Sequence, residues 1–300
     1  MYTLLGIIII ITKLFIEYPI YFIDYLSSLL VFIITKINMK IVRKRYKIAE
    51  RNLQKVFPGK DTIELQRILN KSLKIHLMNI IVGILGQILY KYTKYKNTIK
   101  YEIPSDFDPN DFENDKKYGI LLLTSHYGIF LNGALYLGEL LNTKTYILYH
   151  YVKYLDTTLY PKNYYKNNHF IRYVETKDRE IVTRILKSKK QDIIVLGCDQ
   201  RANRSNENVK FLNQQVTFHT SPASVKLYTN KKLWSYHFHY DEKTRTSIFK
   251  IERLKIDNSN SLHSITQEVA DHLSNYIIKN PEQYLWIHDR FKDNQNTNVK

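Results

Sequence analysis

The sequence predicts an α/β fold: a mixed central sheet flanked by helices, preceded by a membrane-associated helical segment. Three observations carry this. Short apolar or β-branched runs alternate with helix-like stretches from about residue 118 to 279, the pattern of strands with helices packed on them. A strongly apolar stretch opens the chain, and a cluster of cations follows it at once. The 300 residues are enough for one large α/β domain with a sizeable core. The expected division is a membrane anchor over 1–37, an α/β domain over 38–292 and a disordered tail over 293–300.

Residues 3–35 read TLLGIIIIITKLFIEYPIYFIDYLSSLLVFIIT, interrupted by Lys13, Glu17, Pro19 and Asp24. No uninterrupted run reaches the roughly 20 apolar residues of a clean span. No positive stretch precedes the run and no small-residue cleavage site follows it, so a cleaved signal peptide fits poorly. The expectation is a membrane-embedded anchor, either one imperfect span or a helix pair lying in the interface. Lys36, Lys40, Arg43, Lys44, Arg45, Lys47 and Arg51 come next. Such a block stays on the cytoplasmic side, and each cation near anionic headgroups contributes on the order of 1 kcal/mol.

Residues 38–56 read as a helix that Phe57-Pro58-Gly59 stops. Asp61 or Thr62 can cap the next helix, expected to run to about Tyr95. Leu73, Leu77, Ile80, Ile81, Ile84 and Leu85 give it an apolar stripe at helical spacing, read as core. Strands are expected at Tyr118–Thr124, Thr145–His150, Asp192–Cys198, Lys232–Tyr240 and Ser247–Arg253. Helices are expected at 129–141, 178–189, 220–229 and 263–279.

Composition excludes some chemistry. Cys198 is the single cysteine, so neither a disulfide within the chain nor a Cys-based metal site is possible. The ten histidines contain no HExxH pattern, and His237 and His239 alternate as on a solvent-facing strand. No metal or soluble cofactor is expected. The net charge of +17 suits anionic lipid or an acidic protein partner. Without zinc-finger spacing or an RNA-binding aromatic signature, nucleic acid is disfavoured. Lys, Ile, Tyr and Asn are abundant throughout, which accounts for part of the charge.

The most informative residue is His126. It ends the apolar run YGILLLT and precedes a helix-like stretch, which places an imidazole at the mouth of the sheet. Asp199-Gln200-Arg201 likewise follows the run IIVLGC, at a strand end where α/β proteins place ligand groups. Arg201 and Arg204 have the chemistry to pair with a phosphate.

Four segments, in order, resemble the lipid A biosynthesis acyltransferases (lauroyl and myristoyl transferases) of the wider lysophospholipid acyltransferase group. They are Arg51-Asn52-Leu53 with Phe57-Pro58; Thr124-Ser125-His126-Tyr127-Gly128; Asp199-Gln200 with Val209-Lys210-Phe211-Leu212 and Ser221-Pro222-Ala223; and Asn280–Lys292, NPEQYLWIHDRFK. The last is the most specific, being similar to the family's P-E-Q-Y-x-W-x-H-R-R-F-K. Asp289 replaces the first Arg of that pattern, and Arg290 keeps the second.

The resemblance implies acyl transfer from acyl carrier protein to a hydroxyl of a lipid A precursor, or of another anionic lipid. The place would be the cytoplasmic face of the inner membrane. His126 would be the general base, and Asp199, Gln200, Arg201, Arg204 and Arg290 would bind substrate. Such a reaction needs a base for the hydroxyl proton and donors for the tetrahedral oxyanion. The family also keeps a carboxylate five residues after the His to orient it; here that residue is Leu131. Three explanations stay open. Asn132 or Asp199 orients the imidazole instead, His126 works weakly alone, or the protein binds lipid without acylating it.

Overall fold

The computed structural model describes residues 2–36, 40–102, 108–131, 137, 144–149, 171–175, 179–187, 192–202, 206–229, 231–256 and 261–292. Asn132, Arg204, most of the expected helix over 129–141 and the expected tail over 293–300 lie outside these residues.

The helices in chain order are α1 (Tyr2–Glu17), α2 (Pro19–Lys36), α3 (Lys40–Val56), α4 (Thr62–Tyr92), α5 (Pro109–Lys116), α6 (Arg179–Leu186), α7 (Ser221–Tyr228) and α8 (Leu262–Lys279). The strands are β1 (Ile99–Glu102), β2 (Ile120–Thr124), β3 (Thr145–Tyr149), β4 (Ile171–Glu175), β5 (Ile193–Gly197), β6 (Asn206–Phe211), β7 (Gln214–His219), β8 (Lys232–Asp241) and β9 (Thr246–Arg253). Seven strands form one mixed sheet in the order β1-β9-β8-β2-β5-β3-β4, and β6–β7 stands apart as a hairpin. Among the described residues, only β8–β9 is antiparallel within the large sheet.

β2 lies at the centre because it is apolar on both faces. Leu121 and Leu123 enter a core with α3, the start of α4, α8 and the hairpin. Ile120 and Leu122 enter a second core with α2 and the rest of α4. Alternate residues of a strand point to opposite faces, so one ILLL run fills both layers.

Asp61 caps α4, its side chain accepting from the Glu64 amide at 2.7 Å. The apolar stripe expected for α4 is partly core: Leu73, Ile81 and Leu85 pack half-buried against it, whereas Ile84 is exposed. The buried residues of α4 include Leu65, Ile68, Leu69, Ser72, Ile75, His76, Met78, Asn79, Val82 and Leu89. Polar residues turn inward because the site's segments supply their partners. Ser72 donates to the Tyr284 carbonyl at 2.5 Å, and Asn79 Oδ1 accepts from the Leu131 amide at 2.8 Å.

The apolar N-terminus forms two helices joined through Tyr18. The amides of Tyr18 and Phe22 bond the carbonyls of Leu14 and Tyr18, so helix-type bonding continues across the junction. The side chains of Ile8–Ile11 and Leu14 on α1 are exposed, as are Tyr21, Tyr25, Leu29 and Phe32 on α2. By length and composition, α2 and the Thr62–Gly86 part of α4 are apolar enough to cross a membrane.

The opposite face of α2 packs on α4. Ile20, Ile23 and Ser27 are buried, and Asp24 accepts from Lys74 at 2.8 Å and from the Tyr240 hydroxyl at 2.9 Å. Asp24 thus fastens the apolar segment to the sheet. Asp24→Ala leaves the largely buried Lys74 ammonium with Glu242 alone. It is expected to cost about 3 kcal/mol, read as a lower melting temperature in detergent.

The alternation of His237 and His239 predicts a solvent-facing pair, and here too the structure differs. His237 is buried, stacked on Tyr276 with ring centroids 3.6 Å apart, and His239 Nδ1 bonds the Tyr127 hydroxyl at 3.0 Å. The strand's outer face is covered by α8, which the alternation of residue types could not reveal.

Candidate active site

The site forms where two central parallel strands end side by side. β2 and β5 pair in register, with Thr124 opposite Gly197. His126 lies two residues beyond Thr124 and Asp199 two beyond Gly197, so the register delivers the two side chains to one place. The Cys198 amide bonds the Thr124 carbonyl at 3.3 Å, just past the pairing.

His126 Nδ1 stands 2.9 Å and 3.2 Å from the two Asp199 carboxylate oxygens. Gln200 Nε2 stands 3.1 Å from His126 Nε2. With Nδ1–H donating to the carboxylate, the Nε2 lone pair accepts from the Gln200 amide. Asp199 is 1% exposed, whereas the His126 side chain is 28% exposed, so the imidazole forms the boundary between the buried carboxylate and solvent. The Phe130 ring meets the imidazole edge-on at 4.9 Å.

The electrostatics follow from this pairing. Burial works against an imidazolium, but the Asp199 carboxylate outweighs it and holds the His126 pKa above its ordinary 6.5. Burial likewise pushes Asp199 up, and His126 more than reverses this, leaving it below 3.8. Behind the pair, burial lowers the His76 pKa to about 3, so this neighbour stays neutral. Burial and the Asp199 charge together keep the Tyr284 hydroxyl protonated.

The segment after His126 is stitched to its surroundings. The Leu285 amide bonds the His126 carbonyl at 3.0 Å, the Gly128 amide bonds the Gln283 carbonyl at 2.7 Å, and the Ile129 amide bonds the Phe238 carbonyl at 3.0 Å. Gly128 has φ +61°, and a Cβ there would lie 1.7 Å from the Phe238 carbonyl oxygen. Only glycine permits this approach.

The C-terminal PEQYLW segment is therefore the site's floor. Asn52 of α3 holds it from beneath, its amide donating to the carbonyls of Trp286 at 2.9 Å and His288 at 2.7 Å. Asp289, the departure from the family pattern, forms an ion pair with Arg51. Two of the family-like segments thus brace a third through main-chain bonds.

The structure brings together His126, Asp199 and Gln200 of the sequence-derived candidates. Arg201 continues the same loop, half exposed. Arg290 is 2% exposed, its guanidinium over the rings of Phe211 and Phe218. Leu131 is buried with its amide on Asn79. Sequence reasoning missed His76 and Tyr284 as neighbours of the pair. His76 sits within the helical stripe of α4, and Tyr284 within the family-like segment, but neither position marks proximity to His126. Among the described residues, no cluster of His, Cys, Asp or Glu could hold a metal ion.

A search of curated proteins finds no match. The family model described as bacterial lipid A biosynthesis acyltransferase matches residues 2–293. With nearly its whole length covered, the chain belongs to the bacterial lipid A biosynthesis acyltransferase family.

Proposed function

We propose that the protein transfers a fatty acyl group from acyl carrier protein to a hydroxyl of a lipid A precursor. The reaction takes place at the cytoplasmic face of the inner membrane. The observation that carries this reading is the carboxylate of Asp199 on His126 Nδ1. It fixes the tautomer, leaves Nε2 as the base and stabilises the imidazolium that forms, as the carboxylate does in hydrolase triads.

The acceptor hydroxyl displaces the Gln200 amide from Nε2 and gives its proton to that atom as its oxygen attacks the thioester carbonyl. The tetrahedral intermediate carries an oxyanion. The amides of Tyr127, Gly128, Ile129 and Leu131 are already bonded within the protein, so they are not free to stabilise it. The displaced Gln200 amide, next to Nε2, is a donor available for that role. Collapse breaks the C–S bond, and the imidazolium returns its proton to the thiolate. Arg201, with Arg204 three residues further along the chain, offers guanidinium groups for an acceptor phosphate. The net charge of +17 favours encounter with an acidic carrier protein. The exposed apolar side chains of α1 and α2 would lie in the bilayer.

Leu131 favours a second reading, a family member that binds lipid without acylating it. Acyl transfer by the purified protein in detergent separates the two, with acyl carrier protein thioesters as donors, a lipid A precursor as acceptor and His126→Ala alongside. The expected result is transfer that His126→Ala abolishes. Because Asp199 raises the His126 pKa, the neutral base is lost as pH falls through a value above 6.5. The rate at limiting acceptor should decline over that window. Absence of transfer from every donor would shift the weight to the lipid-binding reading.

A further inference from the structure

Two consecutive residues hold the two nitrogens of His126. Nδ1 faces the Asp199 carboxylate at 2.9 Å, and Nε2 faces the Gln200 side-chain amide at 3.1 Å. A neutral imidazole has one in-plane lone pair, on the nitrogen that carries no proton. Asp199 puts the proton on Nδ1, so the lone pair is on Nε2, and the Gln200 N–H fills it. The atom that must accept the hydroxyl proton is therefore already occupied in the resting protein.

This matters because the ring is not sealed off. The His126 side chain is 28% exposed and Gln200 is half-buried, so solvent reaches the site. A free base beside an acyl thioester would activate water whenever no acceptor was bound. Water's oxygen would bond to the thioester carbonyl carbon while its proton passed to Nε2. Cleavage of the C–S bond, with return of that proton to the thiolate, would leave a free fatty acid and an unloaded carrier. Enzymes commonly suppress such side reactions by excluding water from the site.

Gln200 opposes this reaction by energy rather than by a wall. Any oxygen that reaches Nε2 must first displace the amide, at the loss of one neutral hydrogen bond. A lipid acceptor offsets that loss through contacts made by the rest of its headgroup and chains. Water makes no such contacts. The Phe130 ring, edge-on at 4.9 Å, meets the imidazole as an apolar neighbour and leaves the polar contact at Nε2 to Gln200.

We propose that Gln200 is a latch on the base: it keeps Nε2 occupied until a bound acceptor displaces it, and so keeps His126 from activating water while no acceptor is present. This consequence rests on the acyltransferase reading, whereas the occupied lone pair does not. The group that orients the imidazole and the group that guards it come from one dipeptide at the end of β5, so the register that delivers Asp199 delivers the latch as well.

Gln200→Met tests this in the full chain in detergent, since it keeps the length of the side chain and removes the amide. Diethyl pyrocarbonate acylates an imidazole through a free lone pair, and peptide mass spectrometry reads its rate at His126 apart from the other histidines. That rate should rise about fivefold in the variant, the worth of one neutral hydrogen bond. The second readout uses an acyl carrier protein thioester. Its hydrolysis without acceptor, divided by its transfer to a saturating lipid A precursor, should rise by a similar factor. Both reactions pass through the same thioester oxyanion, so loss of the amide as an oxyanion donor cancels in the ratio. An unmoved modification rate, or an unmoved ratio in a variant that still turns over, overturns the proposal. Should Gln200→Met fail to fold, Gln200→Ala carries both readouts. A native protein that neither transfers nor hydrolyses, with modification still faster in the variant, overturns the acyltransferase reading and leaves the latch standing, so the two fail separately.

Discussion

Asp199→Asn should reduce acyl transfer by about 10⁴ in kcat, the loss seen when a hydrolase imidazole keeps its position but loses its carboxylate. Asparagine is nearly isosteric with aspartate, so the contact with Nδ1 can persist. What goes is the charge that holds the tautomer and stabilises the imidazolium. The loss should fall on kcat rather than KM, because the imidazolium exists only after the hydroxyl proton has moved. Single-turnover assays with a preloaded acyl donor would measure it. The pH profile gives a second check. Asp199 is what raises the His126 pKa, so the lower edge of the profile should move to lower pH in the variant. A variant that keeps native kcat would show that Asp199 plays no part in the chemistry.

The same argument explains Leu131. The family's carboxylate follows the His on the adjoining helix-like segment. Here a carboxylate reaches the imidazole from the neighbouring strand end instead. Leu131 is buried, with its amide bonded to Asn79. Leu131 is enclosed and Nδ1 already faces residue 199, so Leu131→Glu should not restore activity to Asp199→Asn.

Gly128→Ala should be the most damaging single substitution for the fold. Its Cβ would lie 1.7 Å from the Phe238 carbonyl oxygen and 2.8 Å from the carbonyl carbon, and both obstacles are backbone. The +61° φ adds strain of its own. Relief requires breaking the bonds that tie residues 127–129 to β8 and to the Gln283 segment. A loss of about 4 kcal/mol or more is expected, enough to lower the yield of folded protein sharply. Gly197→Ala is the control, on the strand end two residues before Asp199. Nothing lies within 4 Å of its added Cβ, and thermal melting should barely change. Equal damage from both would mean that site glycines are sensitive for some reason other than this close approach.

Much of the architecture was legible in the sequence. Five strands and the helices α3, α4, α6, α7 and α8 stand close to their expected places, because each has clear periodicity or a clear stop such as Phe57-Pro58-Gly59. Four strands, β1, β4, β6 and β7, escaped notice, and three of them have weak patterns. β1 is four residues at the sheet edge with three side chains exposed. β6 and β7, NENVKF and QQVTFH, are largely polar. Their turn, Leu212-Asn213, has φ of 51° and 60° but lacks the glycine that usually announces such a hairpin. The buried Leu212 side chain, packed in the core beneath the hairpin, holds the turn in place of local preference.

The sequence by itself determined the candidate chemistry: an imidazole after one apolar strand, a carboxylate and amide after another, and a C-terminal segment of a known family. It also located the apolar N-terminus. What it left open was which group meets which. His126 and Asp199 are 73 residues apart, and their contact depends on β2 and β5 pairing in parallel with Thr124 opposite Gly197. A shift of one residue would turn the side chains to opposite faces. That register is set by packing against helices on both sides of the sheet. The tertiary structure therefore decided that Asp199 reaches the imidazole, that polar residues of α4 face the site, and that Arg290 is enclosed.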